Sequence, residues 1–528
     1  MTAAASASAV ICLCLILAGL LVLNQQATLR SSVHAASLPL PASAEPPPSP
    51  PPPALTTLRC GEPGSCDVLV NGQIWLQAGT PSHVWSLKHP VTSNASGTDE
   101  LGSFDRTSWL WRSGAATFET AIRSYAGGTV LVFEQCFHTA VVLRSRRGLV
   151  SEFPSFRLPR ADPTTERYFI AYDGDMSGQL YKLGTLHAGT RGIGSGLAGT
   201  APLVLFDATL STTLVLSPLS SFMTASQRYR GGSLSYGLLG SVRRVPAGFS
   251  LETVLVTSSA LHERPRGGGI RVAMLAWGDV LLRRHGRKQR EDAWRRDLTL
   301  STLGYGTQNG AYYYYNAPRG KTYEDVILGV AADARLQSIP YRYWLADSWW
   351  YEKHSGPLPR GVSRPGVMRW EPLAGAAEGA PSGVFPRGLR VVRNATGWAM
   401  MGHNRYWSSF TPYARQHGGP YDFVLDASSG MALPTGRSFW DALFAHARAN
   451  DWGLVGYEQD WMDVQTAKLP ALTTNATLGR TWLLEMGEAA HAANISIQYA
   501  SAGRTLSTAA PSTPSTRTHA QPRAHTAP

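Results

Sequence analysis

Residues 453–462 read GLVGYEQDWM, a short apolar run that ends in two carboxylates, Glu458 and Asp460, flanked by Tyr457 and Trp461. Residues i and i+2 of a strand share a face, so a strand ending here presents both carboxylates in one direction. Neighbouring carboxylates repel, which raises one pKa unless a cation or hydrogen bonds compensate. Arg405 is the candidate cation. The plain structural alternative is the polar end of a buried strand.

Working outward, similar apolar runs end in similar groups. Strands are expected over residues 341–347, 397–402, 421–426 and 495–499, with helices over 322–336, from 438 onward, and over 481–493. Thr322 and Asp325 form a capping-box-like start for the first helix, and Ser438 with Asp441 starts the second. Strand and helix alternating in this way indicates parallel βα units, as in a (β/α)8 barrel, where active residues sit at strand ends. The strand-end groups are Asp347, Trp349 and Trp350; His403, Asn404 and Arg405; Asp426; and Glu458, Asp460 and Trp461. Four neighbouring strands ending in polar or aromatic groups form the main functional signal.

Carboxylates in an aromatic-lined mouth suit glycoside hydrolysis, in which one group attacks the anomeric carbon and another protonates the leaving oxygen. A retaining pair stands ~5–5.5 Å apart across the scissile bond, a placement that neighbours on one strand do not offer. Asp460 is therefore read as the nucleophile and Glu458 as a substrate-orienting or pKa-tuning group. Asp347, Trp349, Trp350, His403, Asn404, Arg405, Asp426 and Trp461 are the candidate sugar ligands. Each has a bland counterpart: a helix cap for the carboxylates, core packing for the tryptophans, and an ordinary hydrogen-bonded histidine for His403. Of the four tyrosines at 312–315, alternation would aim two at the cleft. No cysteine or histidine spacing fits a metal finger, and no cofactor is indicated.

The rest of the 528 residues sets the frame. Residues 58–300 are expected to form a β-sandwich, since runs such as 129–133, 168–172, 203–206 and 213–216 are short, β-branched or aromatic, and bounded by turn residues. Residues 194–199 match GxGxxG without joining a strand to a helix and are read as a loop. The net charge of +12 is spread over scattered arginines, apart from the run at 283–290. That run is read as a solvated face, because no nucleic-acid motif accompanies it.

Residues 11–23 are uninterrupted and apolar, so 1–24 is a signal peptide or signal-anchor and the remainder is secreted or lumenal. Sequons at Asn94, Asn394, Asn475 and Asn494 agree with that route, and Cys60 and Cys66 are close enough for a small disulfide loop. Residues 25–57 form a Pro-rich linker.

The stretches 303–305 and 309–316, with DSWWY, HNRYW and YEQDW, resemble an uncharacterised eukaryotic branch of the α-galactosidase and raffinose synthase group. The resemblance implies an N-terminal β-sandwich followed by a (β/α)8 barrel, with a carbohydrate as the partner. It implies a nucleophile at the end of the fourth barrel strand, matched by Asp460, and a hydroxyl-binding acid after the first, matched by Asp347. Lys often stands two residues before the nucleophile in that group; here the residue is Glu458. The group takes its general acid/base from the sixth strand. Because 501–528 is low-complexity Ser/Thr/Pro/Ala text, the barrel region 301–500 is expected to hold about five βα units, without that acid. A non-catalytic carbohydrate-binding protein and an inactive fragment are the competing readings.

Overall fold

The run Leu203–Asp207 is apolar on both faces because both faces are covered. The structure, a computed structural model, describes residues 56–79, 90–143, 148–161, 165–173, 180–197, 201–258, 269–286, 295, 297–360, 362, 364–373 and 383–500. The signal or anchor segment, the Pro-rich linker up to residue 55, the end of the basic run and the 501–528 tail lie outside the described residues.

The first half folds into a six-stranded and a nine-stranded antiparallel sheet. Strands pair as hairpins and meanders; the first hairpin, Thr56–Cys60 with Cys66–Val70, is closed by a Cys60–Cys66 disulfide. Val68, Phe156 and Leu234 of the smaller sheet share one core with Leu131, Phe133, Leu205 and Leu216 of the larger. Leu205 and Leu216 point into that core, whereas Val204 and Val215 point the other way, onto Ala273. That alternation is the period of two of a strand.

Ala273 belongs to a helix, Ile270–Arg284, in a stretch that the sequence reading left in β structure. It lies on the outer face of the nine-stranded sheet, where Val280 packs with Val132, Val254 and Val256 and Trp277 donates from Nε1 to Ser217 Oγ at 2.7 Å. The start of the basic run is absorbed here. Arg284 pairs with the buried Glu252 and with Glu100, and Arg283 donates to the Leu101 carbonyl. Among the described residues of 194–199, Gly196 bridges Gln227 antiparallel and so does not open a helix.

The second half is built on five parallel strands in chain order: Leu303–Gly306, Tyr341–Ala346, Ala399–Asn404, Leu454–Gln459 and Ser496–Tyr499. Helices Tyr323–Leu336, Leu389–Thr396, Arg437–Ala449 and Leu478–Ala492 alternate with them, giving a curled half-barrel. Thr322 and Asp325 make the reciprocal capping box.

Two sequence assignments exchange places. Leu303–Gly306 is a parallel strand that its two glycines conceal; Gly304 lacks a side chain because Tyr343 on the next strand lies across it, with ring atoms 2.2 Å from where a Cβ would stand. Phe423–Asp426 is not in the parallel sheet. It pairs antiparallel with Met431–Pro434 in a separate sheet that also holds Tyr351–Lys353, Val367–Pro372 and Trp407–Ser408. Asp347 therefore follows the second parallel strand, not the first, while Leu454–Gln459 remains the fourth and Ser496–Tyr499 the fifth.

Candidate active site

Register fixes a polar layer on one face of the parallel sheet. His403 stands opposite Glu458, and Glu458 opposite Gln498. One level below lie Leu345, Met401, Gly456 and Ser496. Below those, the turn Leu298–Ser301 closes off this face, with Tyr343 donating to the Thr299 carbonyl and Ser496 to Asp297. Asp347 and Asp460 follow directly after their strands.

Asp460 is held from three sides. Its amide donates to the Asn404 carbonyl at 2.7 Å, its Oδ1 accepts from the Trp461 amide at 2.7 Å, and its Oδ2 lies 3.1 Å from His403 Nε2. Trp461 adopts the left-handed conformation (φ 59°), turning the chain from strand into the helix Met462–Lys468. The Asp460 side chain keeps 19% of its surface in solvent.

His403 is the hub. Its Nε2 also lies 4.0 Å from Asp347 Oδ1, and its Nδ1 is 3.0 Å from the Tyr351 hydroxyl. A carboxylate accepts, so the Nε2 contact with Asp460 calls for a hydrogen on Nε2 and leaves Nδ1 to take the Tyr351 hydroxyl proton. That makes Nδ1 the acceptor and places the imidazole hydrogen on Nε2, toward Asp460. Burial pushes the Tyr351 phenol well above its ordinary pKa, which keeps that proton in place. Asp347 accepts from the Ser348 amide, and its own amide points to Thr307 Oγ1.

Glu458 has no comparable support. It is buried at 3% exposure; Gln498 donates to its Oε1 at 3.2 Å, and its Oε2 has no hydrogen-bond partner. Burial foremost, then the charges of Asp460 and Asp347, push its carboxyl pKa well above the ordinary range.

Arg405 does not compensate the carboxylate pair. It shares the face of His403 but lies over the Trp461 ring at 5.2 Å and donates to the Pro365 carbonyl. Beside it sits Lys353, which sequence reasoning passed over; its Nζ donates to the Tyr315 hydroxyl at 2.9 Å and to the Ser348 carbonyl. Tyr315 in turn donates to the Ser348 carbonyl, and Tyr314 approaches the Ser348 hydroxyl, whereas Tyr312 is exposed.

Four expected ligands lie elsewhere. Trp349 is buried, stacked on Tyr323 at 3.6 Å, and Trp350 is fully buried against Trp370 and Trp452. Neither offers a face to a sugar. Asn404, one residue from His403, falls on the opposite face, where it donates to Gln459 beside Tyr457. Asp426 ends a strand of the other sheet, and its carboxylate is taken up by Ser428 and Ser429 in the hairpin turn. Tyr351 and Gln498 were missed. Their signal was polar groups in otherwise apolar runs, SWWY and ISIQY.

The described residues contain no group of His, Cys, Asp and Glu arranged to hold a metal ion. A separate cavity of about 320 Å³ lies beside Tyr341, at the strand end remote from Asp347.

No family model and no curated protein matches this chain. Among solved structures it is similar to glycoside hydrolases. A Glycoside Hydrolase Family 97 enzyme from Pseudoalteromonas sp. strain K8 is 8% identical with TM-score 0.47, over 83% of this chain and 63% of that one. An α-N-acetylgalactosaminidase from Bifidobacterium bifidum is 12% identical with TM-score 0.48, over 86% of this chain and 77% of that one. A GH36 α-galactosidase from Geobacillus stearothermophilus is 12% identical with TM-score 0.44, over 81% and 60%. The chain thus spans about 63% of the length of the first of these. Likeness at this level decides nothing about activity, and the functional reading rests on the residues.

Proposed function

We propose that this protein is built on the plan of a retaining α-glycosidase of the α-galactosidase and raffinose synthase type, acting on O-glycosyl bonds of oligosaccharides or glycans. The two antiparallel sheets are its β-sandwich and the parallel sheet is five units of a (β/α)8 barrel. Asp460 is the nucleophile. What carries the reading is its placement: a partly exposed carboxylate at the C-terminal end of the fourth parallel strand, oriented by its neighbours' backbone and by His403 Nε2. Those contacts fix the attacking oxygen, which is what positioning contributes to such a step.

Asp347, near the same imidazole nitrogen, binds substrate hydroxyls, and Trp461 flanks the sugar. Glu458 cannot serve as the opposing acid, because it shares the strand and face of Asp460. With Asp347 assigned to hydroxyl binding, we propose that hydrolysis by this chain lacks its general acid/base. Loss of that group removes ~10²–10⁴-fold in rate. Substrates whose leaving group needs little protonation are therefore expected to react, and natural oligosaccharides to stay near background. Rates on an aryl α-galactoside and on raffinose, with Asp460→Asn as control, test this. Efficient raffinose hydrolysis would refute the missing acid, and aryl turnover that survives in Asp460→Asn would refute the nucleophile.

A non-catalytic sugar-binding role is weakened by the burial of Trp349 and Trp350, which leaves Trp461 as its platform. We further propose a secretory-pathway location, secreted or signal-anchored. The four sequon asparagines Asn94, Asn394, Asn475 and Asn494 are all exposed, which supports it. No helix among the described residues is long and apolar enough to cross a membrane.

A further inference from the structure

Arg405 is out of keeping with its surroundings. It is 4% exposed, yet among the described residues it forms no ion pair. The contacts of Asp347 and Asp460 with a basic group go to His403 instead. Its hydrogen bond is to an uncharged oxygen, the Pro365 carbonyl, and its Nε has no partner at all. Arginine is almost never buried unless paired, because taking a cation out of water without a counter-charge is unfavourable.

A second cation points to the same place. Lys353 lies 4.8 Å from the Tyr315 ring and 5.6 Å from the Tyr351 ring, and its own hydrogen bonds are likewise to uncharged oxygens. Burial foremost lowers its pKa, with the charge of Arg405 adding to that and Tyr315 and Asp347 opposing it. The segment that covers Arg405 carries the exposed Arg360 and Arg364 as well. Such a concentration of one sign draws in the opposite charge.

This cationic pair adjoins the carboxylates. Arg405 lies over Trp461, the residue after Asp460. We propose that the sugar taken by this site bears an anionic substituent, received by Arg405 with Lys353 as the second cation. A planar guanidinium matches a carboxylate in a bidentate fork, so a hexuronate is the substituted sugar that fits best; a sulfate ester offers the same charge. The inference rests on the glycosidase reading for the position of the sugar, and it supplies the counter-charge that Arg405 lacks.

The test is calorimetric titration of the full chain with methyl α-galacturonide, methyl α-glucuronide, their neutral galactoside and glucoside, galactose 6-sulfate, and sodium sulfate. The uronides are expected to bind at least about tenfold more tightly than their neutral counterparts. That gap should close in Arg405→Met, narrow in Lys353→Gln and shrink with added salt. Arg405→Met removes an unpaired buried charge, so its unfolding midpoint without ligand should not fall, which separates lost binding from lost folding. A tighter fit for galactose 6-sulfate than for either uronide supports the anionic-sugar site with a sulfate ester as its group. Equal binding of uronide and neutral sugar, or a gap that survives Arg405→Met, overturns the inference and leaves the glycosidase reading standing. Binding of sodium sulfate as tight as that of a uronide overturns it too, in favour of a bare anion site. Failure of every sugar to bind removes both.

Discussion

Glu458 shows most clearly how one residue's environment sets its chemistry. Its pKa in the folded protein is raised above that of a free carboxyl, so the folded state holds a proton that the unfolded chain releases. Stability from this group is fully present below the ordinary carboxylate range and is lost as pH rises from about 4.5 through the folded-state value. Glu458→Gln keeps the shape and removes the titration. Its melting temperature is expected to exceed that of the native protein at pH 7, with the difference fading toward pH 4; a parallel pH profile for both proteins would show that Glu458 is ionised in the fold. Tyr351 makes the complementary case. Tyr351→Phe deletes the donor to His403 Nδ1 inside the protein, and is expected to cost about 1–3 kcal/mol in urea unfolding. No measurable cost would mean that the hydrogen bond from Tyr351 to His403 is not formed.

At the scale of elements, the sequence was most readable where burial is one-sided. The helix Tyr323–Leu336 shows its capping box and apolar face plainly, and Leu454–Gln459 announces itself by its apolar start and polar end. The reading failed where another element dictates a residue. Gly304 and Gly306 make Leu303–Gly306 look like a loop, although Gly304 is there to admit the Tyr343 ring. Phe423–Asp426 has a strand's composition, but composition does not say which sheet a strand joins. Helix Ile270–Arg284 is made largely of helix formers such as Leu, Ala, Met and Arg, and was passed over because it follows directly on the strands of the sheet it covers. Adjacent aromatics misled for a simpler reason: in DSWWY the indoles face the interior, and only the packing of Trp370, Trp452 and Tyr323 reveals it. Gly304→Ala tests the strand assignment. A Cβ there meets the Tyr343 ring, and overpacking of this kind costs about 1–3 kcal/mol. Wild-type stability in Gly304→Ala would mean that the first strand is not paired as described.

At the scale of the molecule, the antiparallel and parallel regions are joined by specific contacts. Arg243 donates its amide to the Thr474 carbonyl at 2.9 Å and Ser241 its hydroxyl to the Thr473 carbonyl at 2.7 Å, while Phe222 and Met223 enter the core of the parallel region. Gly479 packs directly on Met223. Shared burial of this sort predicts one cooperative calorimetric transition for the described region, and two well-separated transitions would contradict it.

The central claim is that Asp460 attacks the sugar. The most direct measurement is covalent trapping with a fluorinated α-glycosyl fluoride, whose leaving group needs no acid, followed by mass spectrometry of the digested protein. The prediction is one added glycosyl group, on the peptide containing residues 453–462 and located at Asp460, absent from Asp460→Asn. A label on Glu458, Asp347 or any other carboxylate, or no label from galactosyl, glucosyl and uronyl reagents alike, would contradict it.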